Sequence, residues 1–293
     1  MKNASTQSSS SQPGTPAWNR PSTMTDKEFN HLRELIYDYA AIEIKEHKRY
    51  LLINRLARRL RHLGITTFSE YLNYLKHGAN RKQEFIELID AVTTNKTDFF
   101  REPKHFTFIE QTVYPVLQQR ANQQNRGLFR VWSAASSTGE EPYTIAICLA
   151  ELFQRLPNWD FEIVGSDISE TVLRAAVAGI FDKERVAPIP QHLLKKYFLK
   201  GNDRFKIKPE LAKKVSFKKV NLKLDFQRTL SDFDIVFCRN VLIYFNRQTQ
   251  EDIIQKCWHV LKPNGYLFLG HSESLHGSRT PFRYVAPSVY QKM

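Results

Sequence analysis

Two spacings of apolar residues divide the chain into an N-terminal and a C-terminal part. From residue 24 to about residue 92, apolar side chains recur every three or four positions, which is the spacing of amphipathic helices. The clearest example is 48-KRYLLINRLARRLRHLG-64, where Gly64 is a natural helix stop and Thr67 with Glu70 fits a capping box before the next helix. Residues 24–92 are therefore predicted to form a small helical bundle.

From residue 128 onward, short apolar runs alternate with helical patterns. Strands are predicted at 128–134, 161–168, 233–238 and 265–270, and helices at 143–156, 170–178 and 247–261. Strands that alternate with helices favour a parallel, doubly wound α/β sheet.

One segment, at about 195–220, interrupts this alternation of strands and helices. Within it, 203-DRFKIK-208 and 215-VSFKKV-220 both alternate apolar and polar residues and are separated by a short connection. They are predicted to form a small antiparallel hairpin inserted into the sheet domain.

Two further segments differ in composition from the parts that fold. Residues 1–23 are rich in Ser, Thr, Gln and Pro and contain almost no aliphatic residues, which predicts a disordered extension. The stretch 93-TTNKTDFFREPKHF-106 is first polar, then aromatic, and is broken by Pro103. Residues 93–104 are predicted to be a linker that leads into the sheet domain, residues 105–293.

Bulk composition favours a globular protein of a reducing compartment. The chain has 293 residues, of which 42% are hydrophobic. No apolar run approaches the ~18 residues of a membrane span, and the N-terminus lacks the apolar run of a signal peptide. Cys148, Cys238 and Cys257 show no metal-type spacing. A cytoplasmic protein without a metal site is expected, and nothing in the sequence demands a dimer.

The basic charge is concentrated in two places. The net charge is +13. Residues 45–61 carry seven Lys or Arg against one acid, and residues 195–223 carry eleven against two. Such patches attract anionic partners and speed their encounter, so nucleic acid, a lipid surface or an acidic protein are the partner classes to consider.

The stretch 132-WSAASSTGEEPYTIAI-147 is typical of a ligand-binding turn between a strand and a helix. Its small residues let a ligand approach the backbone closely. However, Glu140 and Glu141 at the start of the helix do not suit a pyrophosphate, which favours a cationic ligand without phosphate. Asp167 ends the next strand, where an acid commonly accepts hydrogen bonds from ribose hydroxyls. Together these features point to S-adenosylmethionine rather than NAD.

Two more stretches are expected at the same edge of the sheet. In 238-CRNVLIYF-245, Arg239 and Asn240 follow a strand, and Tyr244 comes one helical turn later. In 219-KVNL-222, Asn221 is placed to contact an adenine edge.

Five ordered motifs carry a resemblance to a known family. TTNKTDFFRE, WSAASSTGEEPYTIAI, GSDIS, FCRNVLIYF and GYLFLGHSES resemble the chemotaxis receptor methyltransferase family, CheR, and the likeness extends over about residues 24–290. The resemblance implies methyl transfer from S-adenosylmethionine to glutamates on chemoreceptor signalling helices. It also implies a helical N-terminal domain, a Rossmann-like catalytic domain and an inserted antiparallel subdomain.

The resemblance also implies a set of site residues. Cofactor contacts are expected from Asn95, Thr97, Arg101, Ala134, Glu140 or Glu141, Asp167, Asn221, Leu222, Cys238 and Arg239. Arg101 and Tyr244 match the pair that faces the methyl group. The inserted hairpin is shorter than in enteric members, so binding of a receptor-tail peptide there is left open.

This chemistry requires no general base or metal. A glutamate side chain has a pKa of about 4.3 and is already anionic at neutral pH, so positioning carries the catalysis. His271 is interpreted as a turn residue rather than a base. Arg55, Arg58, Arg59 and Arg61 are predicted to form a basic helix face that docks on an acidic receptor helix.

Two rival hypotheses belong to other classes. A nucleic-acid methyltransferase would also explain the net charge, but the loop from Asn240 to Tyr244 lacks the paired prolines that amino-methylating DNA enzymes usually carry. A non-enzymatic adaptor would have no need of Arg101, Asp167 and Tyr244 together.

Overall fold

The computed structural model describes residues 23–227, 229–276 and 280–293. The predicted disordered extension lies outside the described residues except for Thr23. Within the described ranges, no helix is both long enough and apolar enough to cross a membrane.

From Thr23 onward, four α-helices form the N-terminal part: α1 (Asp26–Ala40), α2 (Arg49–Leu63), α3 (Phe68–His77) and α4 (Arg81–Val92). Their apolar stripes pack on one another, with Phe29, Leu56, Phe68 and Tyr71 fully buried, among others. The predicted helix signals are confirmed. Gly64 ends α2 with a φ of 68°, and Thr67 and Glu70 form the capping box of α3.

The chain then enters the sheet domain through α5 (Lys104–Phe108), a short π-helix (Ile109–Val113) and α6 (Tyr114–Gln123). The sheet domain begins with β1 (Gly127–Ala134), α7 (Glu140–Phe153), β2 (Trp159–Asp167) and α8 (Glu170–Ala178). After the inserted segment come β7 (Phe233–Cys238), α12 (Arg247–Val260), β8 (Leu261–Leu269), β9 (Phe282–Ala286) and β10 (Val289–Lys292). These elements confirm the predicted alternation of strands and helices. The C-terminal β9–β10 pair had not been expected.

The inserted segment differs from the predicted hairpin. Its antiparallel sheet consists of β3 (Ile180–Asp182), β4 (Phe198–Lys200) and β5 (Arg204–Ile207), in the order β3-β5-β4. The short helices α9 (Lys183–Val186) and α10 (Gln191–Tyr197) connect β3 to β4.

The second predicted hairpin strand belongs to the large sheet. β6 (Val215–Lys219) pairs in parallel with β2, because α11 (Pro209–Ala212) carries the chain from the insertion to the sheet edge. The prediction that 203–208 pairs with 215–220 was therefore wrong. Alternation shows that a strand has one exposed face, but it does not show which strand lies beside it.

The large sheet has seven strands in the order β6-β2-β1-β7-β8-β10-β9. The pairs from β6 to β8 are parallel, and β10 and β9 add in antiparallel fashion. Both faces are covered. Along β7, Ile235 and Phe237 pack into one core, whereas Val236 and Cys238 pack into the other.

Strand register determines where a site can form. Ala134 at the end of β1 lies beside Ser166 of β2 and beside Cys238 of β7. The loops that follow these three strands therefore emerge together at one edge, which is where open α/β sheets bind ligands.

Candidate active site

A cleft of roughly 1030 Å³, including its open mouth, lies at the carboxyl edge of the sheet. The linker and the ends of α1 and α4 form one wall, and the loops after the strands form the other. The predicted site residues that line it are Asn95, Thr97, Arg101, Glu141, Asp167, Asn221, Leu222, Arg239 and Tyr244. The sheet edge and the linker thus bring together most of the predicted set.

The loop after β1 has an unusual backbone. Ala135, Ser137 and Gly139 all have positive φ, at 60°, 49° and 99°. Non-glycine residues in the left-handed region are uncommon, and they persist where surrounding contacts enforce them, often at ligand sites. Here the N–H of Ser137 donates to Asp167 Oδ2 at 3.0 Å. The loop is therefore held against the end of β2.

Asp167 is buried, with 8% of its surface exposed, and its carboxylate is fixed by backbone donors. The N–H groups of Ser137 and Ser169 donate to its two oxygens, each at 3.0 Å. Burial raises the pKa of Asp167, and these N–H groups offset part of that rise. A carboxylate held in this way has remaining lone pairs for hydroxyl donors such as those of a ribose.

Arg239 is a buried cation that is neutralised by two carboxylates. Its Nη1 lies 3.1 Å from Glu141 Oε2, and its Nη2 lies 3.0 Å from Glu102 Oε2. Burial raises the pKa of Glu141, against the opposing effects of Arg239 and the Ser133 hydroxyl. Burial also acts to raise the pKa of Glu102, but Arg239 and the N–H of His271 outweigh it, so that pKa ends below its usual value.

Three predicted cofactor residues do not line the cleft. Glu140 is buried elsewhere, where it pairs with Arg185 and accepts the Thr138 hydroxyl at 2.6 Å. Glu141 is therefore the member of the Glu140–Glu141 pair that reaches the cleft. Ala134 and Cys238 are fully buried in the sheet core beside it, and neither forms part of the cleft wall.

The linker holds Arg101 in a strained segment. Phe100 and Glu102, on either side of Arg101, have positive φ values of 55° and 57°. The carbonyl of Arg101 accepts from Arg239 Nη2 at 2.6 Å, and the Arg101 side chain donates to the carbonyl of Lys96 at 3.2 Å. Such backbone strain persists only where surrounding contacts enforce it, and it is often found at functional sites. The geometry directs Arg101 to the cleft.

A buried carboxylate that the sequence had not singled out shapes the opposite rim. Glu273 accepts the N–H groups of Asn240, Leu242 and Gly270 at 2.7, 2.8 and 2.7 Å. It fixes the turn that brings Tyr244 to the cleft. Its place in the GHSES motif was the available signal.

Asn221 lines the cleft, but most of its amide is already used. Its Nδ2 donates to the carbonyl of Tyr39 at 2.6 Å, and its Oδ1 accepts the N–H of Lys223 at 3.0 Å. One N–H and one lone pair remain for a ligand. The residue therefore also ties the N-terminal helices to the sheet domain.

The four arginines predicted to form one docking face fall into two groups. Arg55 donates to the linker, and Arg59 pairs with Glu84 and Glu87 of α4. Arg58 and Arg61 are exposed. Arg55 and Arg59 make internal contacts, so Arg58 and Arg61 are the exposed members of the predicted face, and its docking role stays a prediction.

Among the described side chains, Glu102, His105 and His271 lie close enough together to suit a metal ion. Glu102 Oε2 lies 3.6 Å from His105 Nδ1 and 3.9 Å from His271 Nε2. The same oxygen pairs with Arg239, whose charge opposes a bound cation. We therefore assign no metal to this group.

The chain is similar to known proteins along most of its length. Residues 27–93 match the family described as "CheR methyltransferase, all-alpha domain", and residues 95–290 match "CheR methyltransferase, SAM binding domain". The chemotaxis protein methyltransferase of Salmonella typhimurium is 40% identical over 271 residues, which cover 91% of this chain and 90% of that protein. Those of Escherichia coli (39% identical, 91% and 91% covered) and Borreliella burgdorferi (38% identical, 92% and 95% covered) are similarly related.

Proposed function

This chain belongs to the CheR methyltransferase family, and we propose that it methylates glutamate side chains on the signalling helices of chemoreceptors. S-adenosylmethionine is the methyl donor, as the matched SAM binding domain indicates. The proposed products are glutamyl 5-O-methyl esters and S-adenosylhomocysteine, and the proposed role is sensory adaptation in chemotaxis.

The cleft residues fit the cofactor. Asp167 presents a buried carboxylate to a ribose, and the left-handed loop at Ala135 and Ser137 lets a ligand approach the backbone. Arg239 is fully paired, so it offers no unpaired buried cation to repel a sulfonium. When bound, the cofactor supplies an electrophilic methyl group.

The proposal rests mainly on Arg101, whose guanidinium has no carboxylate partner within the described residues. It lines the cleft, and among the described residues it pairs with no carboxylate, whereas Arg239 has two. An acceptor carboxylate, already ionised near neutral pH, can be oriented by this guanidinium and by Tyr244 on the other wall. Methylation removes the negative charge, so Arg101 must orient the acceptor without holding it tightly.

The exposed arginines of α2 fit an acidic partner. Arg58 and Arg61 point to solvent on the helix that also contributes Arg55 to the linker. A receptor helix rich in glutamates would approach this surface faster because of the complementary charge.

The inserted sheet offers a second candidate contact. β4 is one of its two edge strands, and Leu199 is 50% exposed there. An extended receptor-tail peptide would add to this edge by β-augmentation.

Methyl transfer with a radiolabelled donor tests the proposal. We expect the purified chain to transfer label from S-adenosylmethionine to receptor-rich membranes, and mild base to release that label as methanol. Arg101→Met should lower kcat, because the acceptor loses its orienting cation. Label that resists base, or label found on nucleic acid instead, would overturn the glutamate assignment.

A further inference from the structure

The linker wall of the cleft is held by one side chain of α2. The strap, defined here as residues 92–97, contributes every one of its residues to the cleft wall. Arg55 Nη1 donates to the carbonyls of Val92 and Thr93, the latter at 3.1 Å, and Arg55 Nη2 donates to Thr94 Oγ1 at 2.8 Å. Three successive residues of the strap thus share one guanidinium.

This arrangement suits arginine in particular. The guanidinium is a rigid planar fork that carries five donors, so it can satisfy several acceptors in a fixed relative geometry. A lysine ammonium is a compact group on a flexible stem and lacks this fork. Arg55 therefore fixes the direction of the strap as well as its position.

Beyond Arg55, the strap is anchored to the cofactor loop. The carbonyl of Asn95 accepts the Ser137 hydroxyl at 2.9 Å, and the N–H of Ser137 donates to Asp167 at 3.0 Å. Hydrogen bonds thus connect α2 to the strap and the strap, through Ser137, to Asp167, the residue predicted to bind the ribose.

We infer that Arg55 is a positioning residue for S-adenosylmethionine: it clamps the strap that closes one side of the cofactor cleft. The sequence predicted Arg55 as one of four arginines of a receptor-docking face. In the structure its guanidinium instead contacts Val92, Thr93 and Thr94 of the strap. On this inference, Arg55 of α2 positions the cofactor, whereas Arg58 and Arg61 of the same helix remain available to dock the receptor.

The test compares S-adenosylhomocysteine affinity, measured by calorimetry, in the full-length protein and three variants. Arg55→Ala should weaken binding about tenfold or more, since the strap loses three hydrogen bonds. Arg55→Lys should recover only part of the loss. Arg81→Ala is the matched control, because Arg81 donates to a single exposed carbonyl, that of Lys76, at 2.9 Å, and it should bind as the wild type does.

Steady-state kinetics separate positioning from a general packing role. In Arg55→Ala, the KM for S-adenosylmethionine should rise while kcat at saturating donor stays within about twofold. Unchanged affinity in Arg55→Ala, or a loss no larger than that of Arg81→Ala, would overturn the inference. If Arg55→Ala does not fold, Arg55→Lys decides: wild-type affinity in that variant would refute the clamp, and weakened affinity with a normal Tm would support it.

Discussion

At the scale of single residues, two buried charges of the cleft are stabilised in different ways. Asp167 is held by backbone N–H groups, whereas Arg239 is held by the carboxylates of Glu102 and Glu141. Both arrangements form within the protein itself. The cleft is therefore preorganised, because no side-chain ion pair must form or break to shape it.

Arg239 should be far more important for stability than an exposed cation. Arg239→Met leaves two carboxylates, whose side chains are only 10% and 14% exposed, without their partner and should lower the free energy of unfolding by roughly 3–5 kcal/mol. Lys196 pairs with Glu151 at the surface, so Lys196→Met should cost less than about 1 kcal/mol. Urea unfolding measures both variants, and equal losses would show that Glu102 and Glu141 do not depend on Arg239.

His105 should make stability depend on acid. Burial, helped by the charge of Arg239 and opposed by Glu102, lowers the pKa of His105 to about 4. An unfolded histidine titrates near 6.5, so below that pH the unfolded state binds a proton that the native state does not. The contribution of His105 is therefore complete above pH 6.5 and is lost as the pH falls to 4.

The comparison is with His105→Phe, whose ring can keep the edge contact that His105 makes with Phe268. Between pH 7 and 4, the wild type should lose roughly 3 kcal/mol more unfolding free energy than this variant. Urea unfolding at a series of pH values measures the difference. Parallel pH profiles would mean that His105 titrates normally in the folded protein.

At the scale of elements, the start of α7 depends on one glycine. Gly139 has a φ of 99°, and a Cβ there would lie 3.1 Å from the Cβ of Ala176 and 3.2 Å from the Tyr143 ring. Gly139→Ala should therefore cost roughly 1–3 kcal/mol of stability and should weaken S-adenosylhomocysteine binding.

Gly64 provides the control for that variant. Its φ is 68°, but a Cβ there would meet no atom within 4 Å. Gly64→Ala should cost about 1 kcal/mol from backbone strain alone and should leave ligand affinity unchanged. Thermal unfolding with calorimetry separates the two effects, and equal behaviour of both variants would argue against crowding at Gly139.

Much of this fold can be predicted because local patterns determine local elements. The stripe and caps of α2 and α3 follow from residue spacing, and β7 and α8 end where their apolar patterns end. The cleft is also predictable in outline, since parallel strands place their following loops at one edge.

The predictions that failed concern which strands pair and which side chains face the cleft, not which helices and strands form. The alternation in 215–220 fits a hairpin and a sheet edge equally well, and only the crossover through α11 decides between them. Glu140 and Glu141 differ by about 100° around a helix, so which one faces a cleft depends on how that helix packs. Likewise, only the folded structure shows that Arg55 contacts the strap whereas Arg58 is exposed to solvent.

At the scale of the whole molecule, the basic charge should act locally. Reversing Arg58 and Arg61 together to Glu should slow receptor methylation, with an effect that shrinks as salt rises, and should leave S-adenosylhomocysteine affinity unchanged. The matched control reverses Lys213 and Lys218, which are exposed in the second basic segment. Equal slowing by both pairs would indicate a diffuse attraction to polyanions instead of docking on α2.

The central claim is that the cleft at the sheet edge holds S-adenosylmethionine through Asp167. Calorimetric titration of the purified protein with S-adenosylhomocysteine tests it most directly. We expect one saturable site in the wild type and at least about a tenfold loss of affinity in Asp167→Asn, because the ribose loses its charged acceptor. No binding by the folded wild type, or equal affinity in Asp167→Asn, would contradict the account.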